Sequence, residues 1–170
     1  MISMVLASGC IPDQKSHQFY PTPEGLAAHA VALAGIEETH SIMEPSAGTG
    51  GLADHLPKEQ TTCFEISALH SKVLEGKGYV THNADFLNVR VGEFHFDRAV
   101  MNPPFDRGQW LSHVEHAGAM VRPGGRLVAV LPSGAQSRNV LAGKVKQWHG
   151  PFANEFAGAS VSVVILVADF

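Results

Sequence analysis

The chain has 170 residues, 45% of them hydrophobic and 16% charged, with a net charge of −4, which fits one domain with a sizeable core and excludes a disordered polyampholyte. No apolar run approaches the ~20 residues of a membrane span. Two cysteines, Cys10 and Cys63, build neither a disulfide framework nor a CxxC zinc site, and the scattered histidines form no HExxH or HxH pair, so no metal site is expected.

Residues 1–18 read as a loose N-terminal arm. The stretch around Ala7-Ser8-Gly9-Cys10 lacks the basic start and the long apolar run of a leader, so a cytoplasmic location is expected. Pro23–Leu33 then reads as a helix, with Thr22 as its N-cap, Pro23 at its first position and Glu24 in its first turn. Ser41–Glu44 is a strand, followed by a helical Gly50–Leu56. Thr61–Ile66 is a strand, followed by a helical Ser67–Glu75. Tyr79–His82 and Asp97–Met101 are strands, Trp110–Met120 is a helix and Gly125–Leu131 is a strand. Alternation of this kind predicts an α/β domain built on a parallel sheet covered on both faces. At the tail, Phe152–Phe156 reads as a short strand and Ala157-Gly158-Ala159 as a tight turn. Val161–Ala168 then returns as an antiparallel hairpin strand at or near one sheet edge.

Four stretches carry chemistry. The strand ending Ile42-Met43-Glu44 runs into Pro45-Ser46-Ala47-Gly48-Thr49-Gly50-Gly51, a glycine-rich turn that lets a ligand approach the backbone. No GK[ST] follows, and Glu44 would repel a pyrophosphate, so a cationic ligand suits the turn better. Glu65 ends the next strand, 21 residues on, beside Ile66; there it either pairs with the two hydroxyls of a ribose or is a solvent-facing acid. Asp85-Phe86 follows the third strand, as an acceptor for an adenine amine with a packing ring, or as a capped turn. Asn102-Pro103-Pro104-Phe105 ends the fourth. Two prolines stop any ladder there, stiffen the backbone and leave the Asn102 amide and the Pro103 carbonyl as paired acceptors for a planar NH2, with Phe105 to stack on a flat ring.

This order of motifs resembles the class I S-adenosylmethionine-dependent methyltransferases, in particular the amino methyltransferases with an NPPF/Y motif, and most closely the N6-adenine DNA methyltransferases. The resemblance covers the chain from Phe19 onward, Val121-Arg122-Pro123-Gly124-Gly125 and the closing hairpin included. It implies a Rossmann-like methyltransferase sheet, mostly parallel with an antiparallel C-terminal strand, in a single catalytic domain over 19–170. S-adenosylmethionine would be the cofactor. Its contacts would be Tyr20 and Thr22 over the methionine part, Glu44, Ser46, Ala47, Gly48 and Gly50 in the loop, Glu65 and Ile66 at the ribose, Asp85 and Phe86 at the adenine, and Asn102. Asn102, Pro103, Pro104 and Phe105 would be the catalytic tetrapeptide, holding the target amine for direct in-line displacement.

The substrate side is less defined. No separate target-recognition domain is expected, so a partner protein or a homo-oligomer would supply target binding. Residues 102–170 hold six basic and four acidic side chains against six and twelve in residues 1–101. From His116 to Asn154 there is no acid, but Arg122, Arg126, Arg138, Lys144 and Lys146 are present. The loop with Arg138, followed by Lys144, Lys146 and Trp148, suggests a modest basic patch on or near the active-site side, and Arg138 and Lys144 are candidate substrate contacts beside Phe105. A solvated loop and helix face accounts for these residues equally well. His113 and His116, three apart on the helix after the tetrapeptide, are either substrate contacts or, as a helical histidine more often is, surface or core residues, and Trp110 on the same helix reads as packing rather than base stacking. DNA is the expected substrate, with an RNA base or a protein glutamine amide as alternatives; a non-catalytic S-adenosylmethionine-binding subunit is the reading of another class.

Overall fold

A computed structural model describes residues 21–153 and 161–170. The arm over 1–18, Phe19, Tyr20 and the Ala157-Gly158-Ala159 turn lie outside the described residues. Seven strands form one sheet: β1 (Ile42–Pro45), β2 (Thr61–Glu65), β3 (Val80–Asn83), β4 (Phe96–Met101), β5 (Val121–Pro132), β6 (Val145–Ala153) and β7 (Ser162–Asp169). Their order is β3-β2-β1-β4-β5-β7-β6. The first five run parallel, whereas β7 lies antiparallel between β5 and β6. The helices are α1 (Glu24–Leu33), α2 (Ala68–Lys77) and α3 (Gln109–Ala119). No helix among the described residues is long and apolar enough to cross a membrane.

The central strands are apolar without alternation because both of their faces are buried. Successive residues therefore serve opposite layers. Met43, Met101, Leu127 and Leu166 pack in the layer of α3, with Trp110 and Val114. Their neighbours Ile42, Val100, Val128 and Ile165 pack in the layer of α1, with Leu26 and Ala30. Each such side chain contributes about 1.5–3 kcal/mol by burial, and these two layers carry most of the fold.

Three arginines fasten the end of the sheet where the parallel strands begin. Arg98 donates from Nε to the Ala34 carbonyl at 2.7 Å, capping the end of α1. Arg126 pairs with Asp169 at 2.7 Å and reaches the Leu33 carbonyl at 3.0 Å. Arg122 bonds Asp97 at 2.9 Å and the Ser41 hydroxyl at 3.1 Å.

Three elements differ from the expectations. Thr22 is not the cap of α1: the N-cap is Pro23, without a side-chain bond, and the Thr22 hydroxyl is used elsewhere. Gly50–Leu56 is not an α-helix but a turn with one 3-10 stretch, Ala53–His55. The two glycines favour no helix, and Leu56 is extended ahead of Pro57, so too few residues remain for two turns. Residues 154–156 of the strand expected over Phe152–Phe156 lie outside the described residues, and Phe152 and Ala153 end a longer strand that begins at Val145. Its register slips between His149 and Phe152, where Gly150-Pro151 breaks the pattern. An edge strand tolerates such a break because its outer side has no ladder to lose.

Candidate active site

A cavity of about 720 Å³ opens at the C-terminal tips of β1, β2 and β4. It sits where the strand order reverses between β1 and β4, the crevice in which open α/β sheets bind ligands. Of the expected site residues, Thr22, Glu44, Ser46, Ala47, Glu65, Ile66, Asp85, Phe86 and the whole Asn102–Phe105 tetrapeptide line it. Gly48 and Gly50 shape the loop from behind, and Tyr20 lies outside the described residues.

The glycine-rich turn is braced from two sides. The Glu65 carboxylate accepts the Gly48 N–H at 2.7 Å and the Ser67 N–H at 2.8 Å, so one side chain ties the turn to the exit of β2. His70 Nδ1 lies 3.7 Å from the same carboxylate. Behind the turn, Lys77 donates to the Thr49 carbonyl at 2.8 Å while pairing with Asp54 at 2.8 Å. A Cβ on Gly50 (φ +96°) would sit 3.2 Å from that ammonium and 3.3 Å from Leu74, so glycine alone fits there. Gly51 has a different use: a Cβ there would lie 3.2 Å from the Thr22 backbone nitrogen. Its absence lets the segment before α1 press onto the loop.

Glu44 is buried, and its Oε2 has no hydrogen-bond partner among the described residues. Burial, reinforced by the neighbouring Asp54 and Glu65, pushes its pKa well above the usual carboxylate range. An orphaned buried carboxylate oxygen lining a cavity fits a cationic ligand. The donor set, carboxylates without a phosphate cradle, therefore fits a sulfonium nucleoside.

At the tip of β4, Asn102 donates from Nδ2 to the Thr22 hydroxyl at 2.9 Å. No hydrogen bond to the Pro103 carbonyl forms among the described residues. Phe105 is half-buried at the junction of the two core layers and lines the cavity. Asp85 accepts the Leu87 N–H on Oδ1 at 3.1 Å, capping its turn, and the Asn88 side-chain amide on Oδ2 at 3.4 Å, and it still borders the cavity.

The chain has the fold of the class I methyltransferases. It is similar to TrmN from Thermus thermophilus, with a TM-score of 0.65 and 18% identity over 85% of this chain and 48% of that one. It is similar to the 23S rRNA methyltransferase ErmE, with a TM-score of 0.65 and 18% identity over 89% of this chain and 69% of that one. It is also similar to a modification subunit assigned to a type I restriction enzyme from Vibrio vulnificus YJ016, with a TM-score of 0.66 and 18% identity over 98% of this chain and 46% of that one. The chain thus spans about half the length of TrmN and of the modification subunit. No protein-family model and no curated protein matches the sequence.

The fold separates the expected basic patch from this cavity. Beyond β5 the chain runs down the flank of α3, where the Leu141 N–H bonds Glu115 at 2.7 Å. Lys144 therefore emerges at the opposite end of the sheet, its ammonium 4.8 Å above the Phe170 ring. Lys146 donates to the Val140 carbonyl at 2.6 Å and Trp148 packs on the α3 layer, while Arg122 and Arg126 sit among the far-end struts. Arg138 is exposed after the 3-10 turn Ser133–Ser137 and does not line the cavity. Conversely, His113 does line it, with Nδ1 3.2 Å from the Ser46 hydroxyl, and burial lowers its pKa, which favours the neutral ring. Gln109 precedes it by one helical turn and lines the cavity too. The i, i+4 spacing of this pair just after the tetrapeptide is the signal that could have found them. His116 instead bonds the Val89 carbonyl at 2.8 Å, and Trp110 is core.

Proposed function

We propose that the chain is an S-adenosylmethionine-dependent amino methyltransferase whose acceptor is the N6 amine of adenine in DNA. The observation that carries this reading is the meeting, in one cavity, of a proline-stiffened asparagine with the strand-tip acids Glu44, Glu65 and Asp85. When bound, the donor would bring a methyl group activated by a sulfonium. Glu44 gives that charge a buried counter-ion, Glu65 the ribose acceptors, and Asp85 with Phe86 the nucleobase edge and face. Asn102 Oδ1 and the Pro103 carbonyl accept the two hydrogens of the amine and stabilise positive charge growing on its nitrogen. Phe105 stacks on the ring, which for a base in a duplex requires flipping it out.

A second reading keeps the chemistry and changes the acceptor to an amide in protein or a base in RNA. One observation favours it: Arg122, Arg126, Lys144 and Lys146 are engaged away from the cavity rather than ringing it. The test is tritiated-methyl transfer to DNA, RNA and protein extract in parallel. Label in DNA, with N6-methyladenine on digestion, is expected; label in protein or RNA alone selects the second reading. Donor binding without transfer to any acceptor would select a binding subunit and overturn both. In the same assay Asn102→Ala should abolish transfer with little change in donor affinity, whereas Asp85→Ala should weaken donor binding first.

A further inference from the structure

We propose that Thr22 is a positioning residue that anchors the Asn102 side chain at the cavity; the inference rests on the reading above and deepens it. An asparagine side chain has two nearly isosteric ends, and only the orientation with Oδ1 toward the amine accepts its hydrogen. The tie on this side chain is the hydrogen bond between Asn102 Nδ2 and the Thr22 hydroxyl oxygen, 2.9 Å long and 80 residues apart in the chain; a hydroxyl both accepts and donates, so the bond anchors the amide in place rather than choosing which end faces the amine. It occupies the donor end of the amide and leaves Oδ1 with no protein donor among the described residues.

Three features show that Thr22 is held for this purpose rather than for the helix beside it. Its hydroxyl makes no capping bond to α1, whose N-cap is Pro23. Pro21 and Pro23 flank it, so its backbone is confined to an extended conformation. Gly51 then leaves room for that backbone to sit against the loop, 3.2 Å from where a Cβ would be. A proline-framed threonine thus faces a proline-followed asparagine, and both partners are stiff before any ligand arrives. An untethered amide would visit other rotamers and present Oδ1 to the amine in only part of the population.

The experiment compares Thr22→Val, which keeps the shape and removes the acceptor, with Thr22→Ser, which keeps the hydroxyl. In the donor-free protein, the Asn102 side-chain NH2 resonances are identified in a 15N–1H spectrum by their loss in Asn102→Asp. Thr22→Val should shift them and Thr22→Ser should leave them near their native positions. In the transfer assay Thr22→Val should lower kcat by about tenfold to a hundredfold, the scale of losses from small misplacements. Binding of S-adenosylhomocysteine should change less than about threefold, and Thr22→Ser should recover most of the lost turnover. Native turnover in Thr22→Val would overturn the proposal while leaving the methyltransferase reading intact. A loss of S-adenosylhomocysteine affinity that matches the loss of turnover would overturn it too, by assigning Thr22 to the donor. If the native chain transfers methyl to no acceptor, the enzyme reading fails and the spectrum alone decides: Asn102 resonances unmoved by Thr22→Val overturn the tie.

Discussion

The Ser46 hydroxyl and His113 Nδ1 lie 3.2 Å apart, joining the glycine-rich turn to the middle of α3. Ser46 has φ +59°, a left-handed conformation that costs a residue other than glycine about 1 kcal/mol or more. The bond helps to hold it there. His113→Ala should therefore lower stability by about 1–3 kcal/mol and loosen the loop, read as earlier thermal unfolding and weaker donor binding. Adding Ser46→Gly should recover part of the stability, because glycine adopts that φ without strain. Burial lowers the His113 pKa, so the unfolded chain takes up a proton first. Stability is then lost as pH falls below the ordinary histidine value, and His113→Ala should lose less over that window.

Glu44 makes an opposite pH prediction. Its folded pKa is raised by burial and by Asp54 and Glu65, so the folded chain holds this proton more tightly than the unfolded one. The stability it contributes is full below the ordinary carboxylate range and declines as pH rises through that range towards the folded value. Glu44→Gln should remove this decline and raise stability by about 1–3 kcal/mol near pH 8, measured by urea unfolding along a pH series. It should also weaken the binding of a sulfonium donor more than that of the neutral thioether product.

Gly50→Ala tests the bracing of the turn. The new methyl would meet the Lys77 ammonium and Leu74 at a φ of +96°, so the Lys77 strut to Asp54 and the Thr49 carbonyl has to give. A loss of about 1–3 kcal/mol is expected in denaturant unfolding, with reduced donor affinity. Gly25→Ala, where a Cβ meets nothing within 4 Å, is the control and should gain up to about 1 kcal/mol as a helical glycine replaced.

At the far end of the sheet, hydrogen bonds from the Ser41 backbone, and then from its hydroxyl and Arg122, hold the Asp97 pKa down at about 2. A lowered folded pKa means that this stability is present above the ordinary aspartate value and is lost as pH falls through about 2. Asp97→Asn should cost about 1–3 kcal/mol at pH 7, and the difference from the native chain should shrink towards zero near that acid limit. Guanidinium unfolding at both pH values checks it.

How much was legible in the chain differs by element for physical reasons. Asp97–Met101 and Gly125–Leu131 are recognisable because a strand buried on both faces needs an uninterrupted apolar run. Glu44, Glu65 and Asn102 stand at or just past the ends of buried strands, and Asp85 follows the third, so their convergence follows once the strands are parallel and adjacent. The long β6 is hidden because an exposed edge strand carries Lys146, Gln147 and His149 among its apolar residues and breaks at Gly150-Pro151. Thr22 ahead of Pro23-Glu24 has every local mark of a helix cap, yet a partner 80 residues away takes its hydroxyl. Lys144 lies near the Ser133–Ser137 turn in sequence, but the intervening residues cross the full height of the sheet. Local rules carry no information about either of these distances.

The arginine struts and the cavity occupy opposite poles of the sheet. The struts close carbonyls and carboxylates that belong to the frame: the last turn of α1, the start of β4 and the end of β7. Cargo selection at the strand tips therefore draws on none of the bonds that keep the frame shut. Grafting foreign loops after β4 or β5 would retune what enters the pocket while the scaffold stays bolted from below.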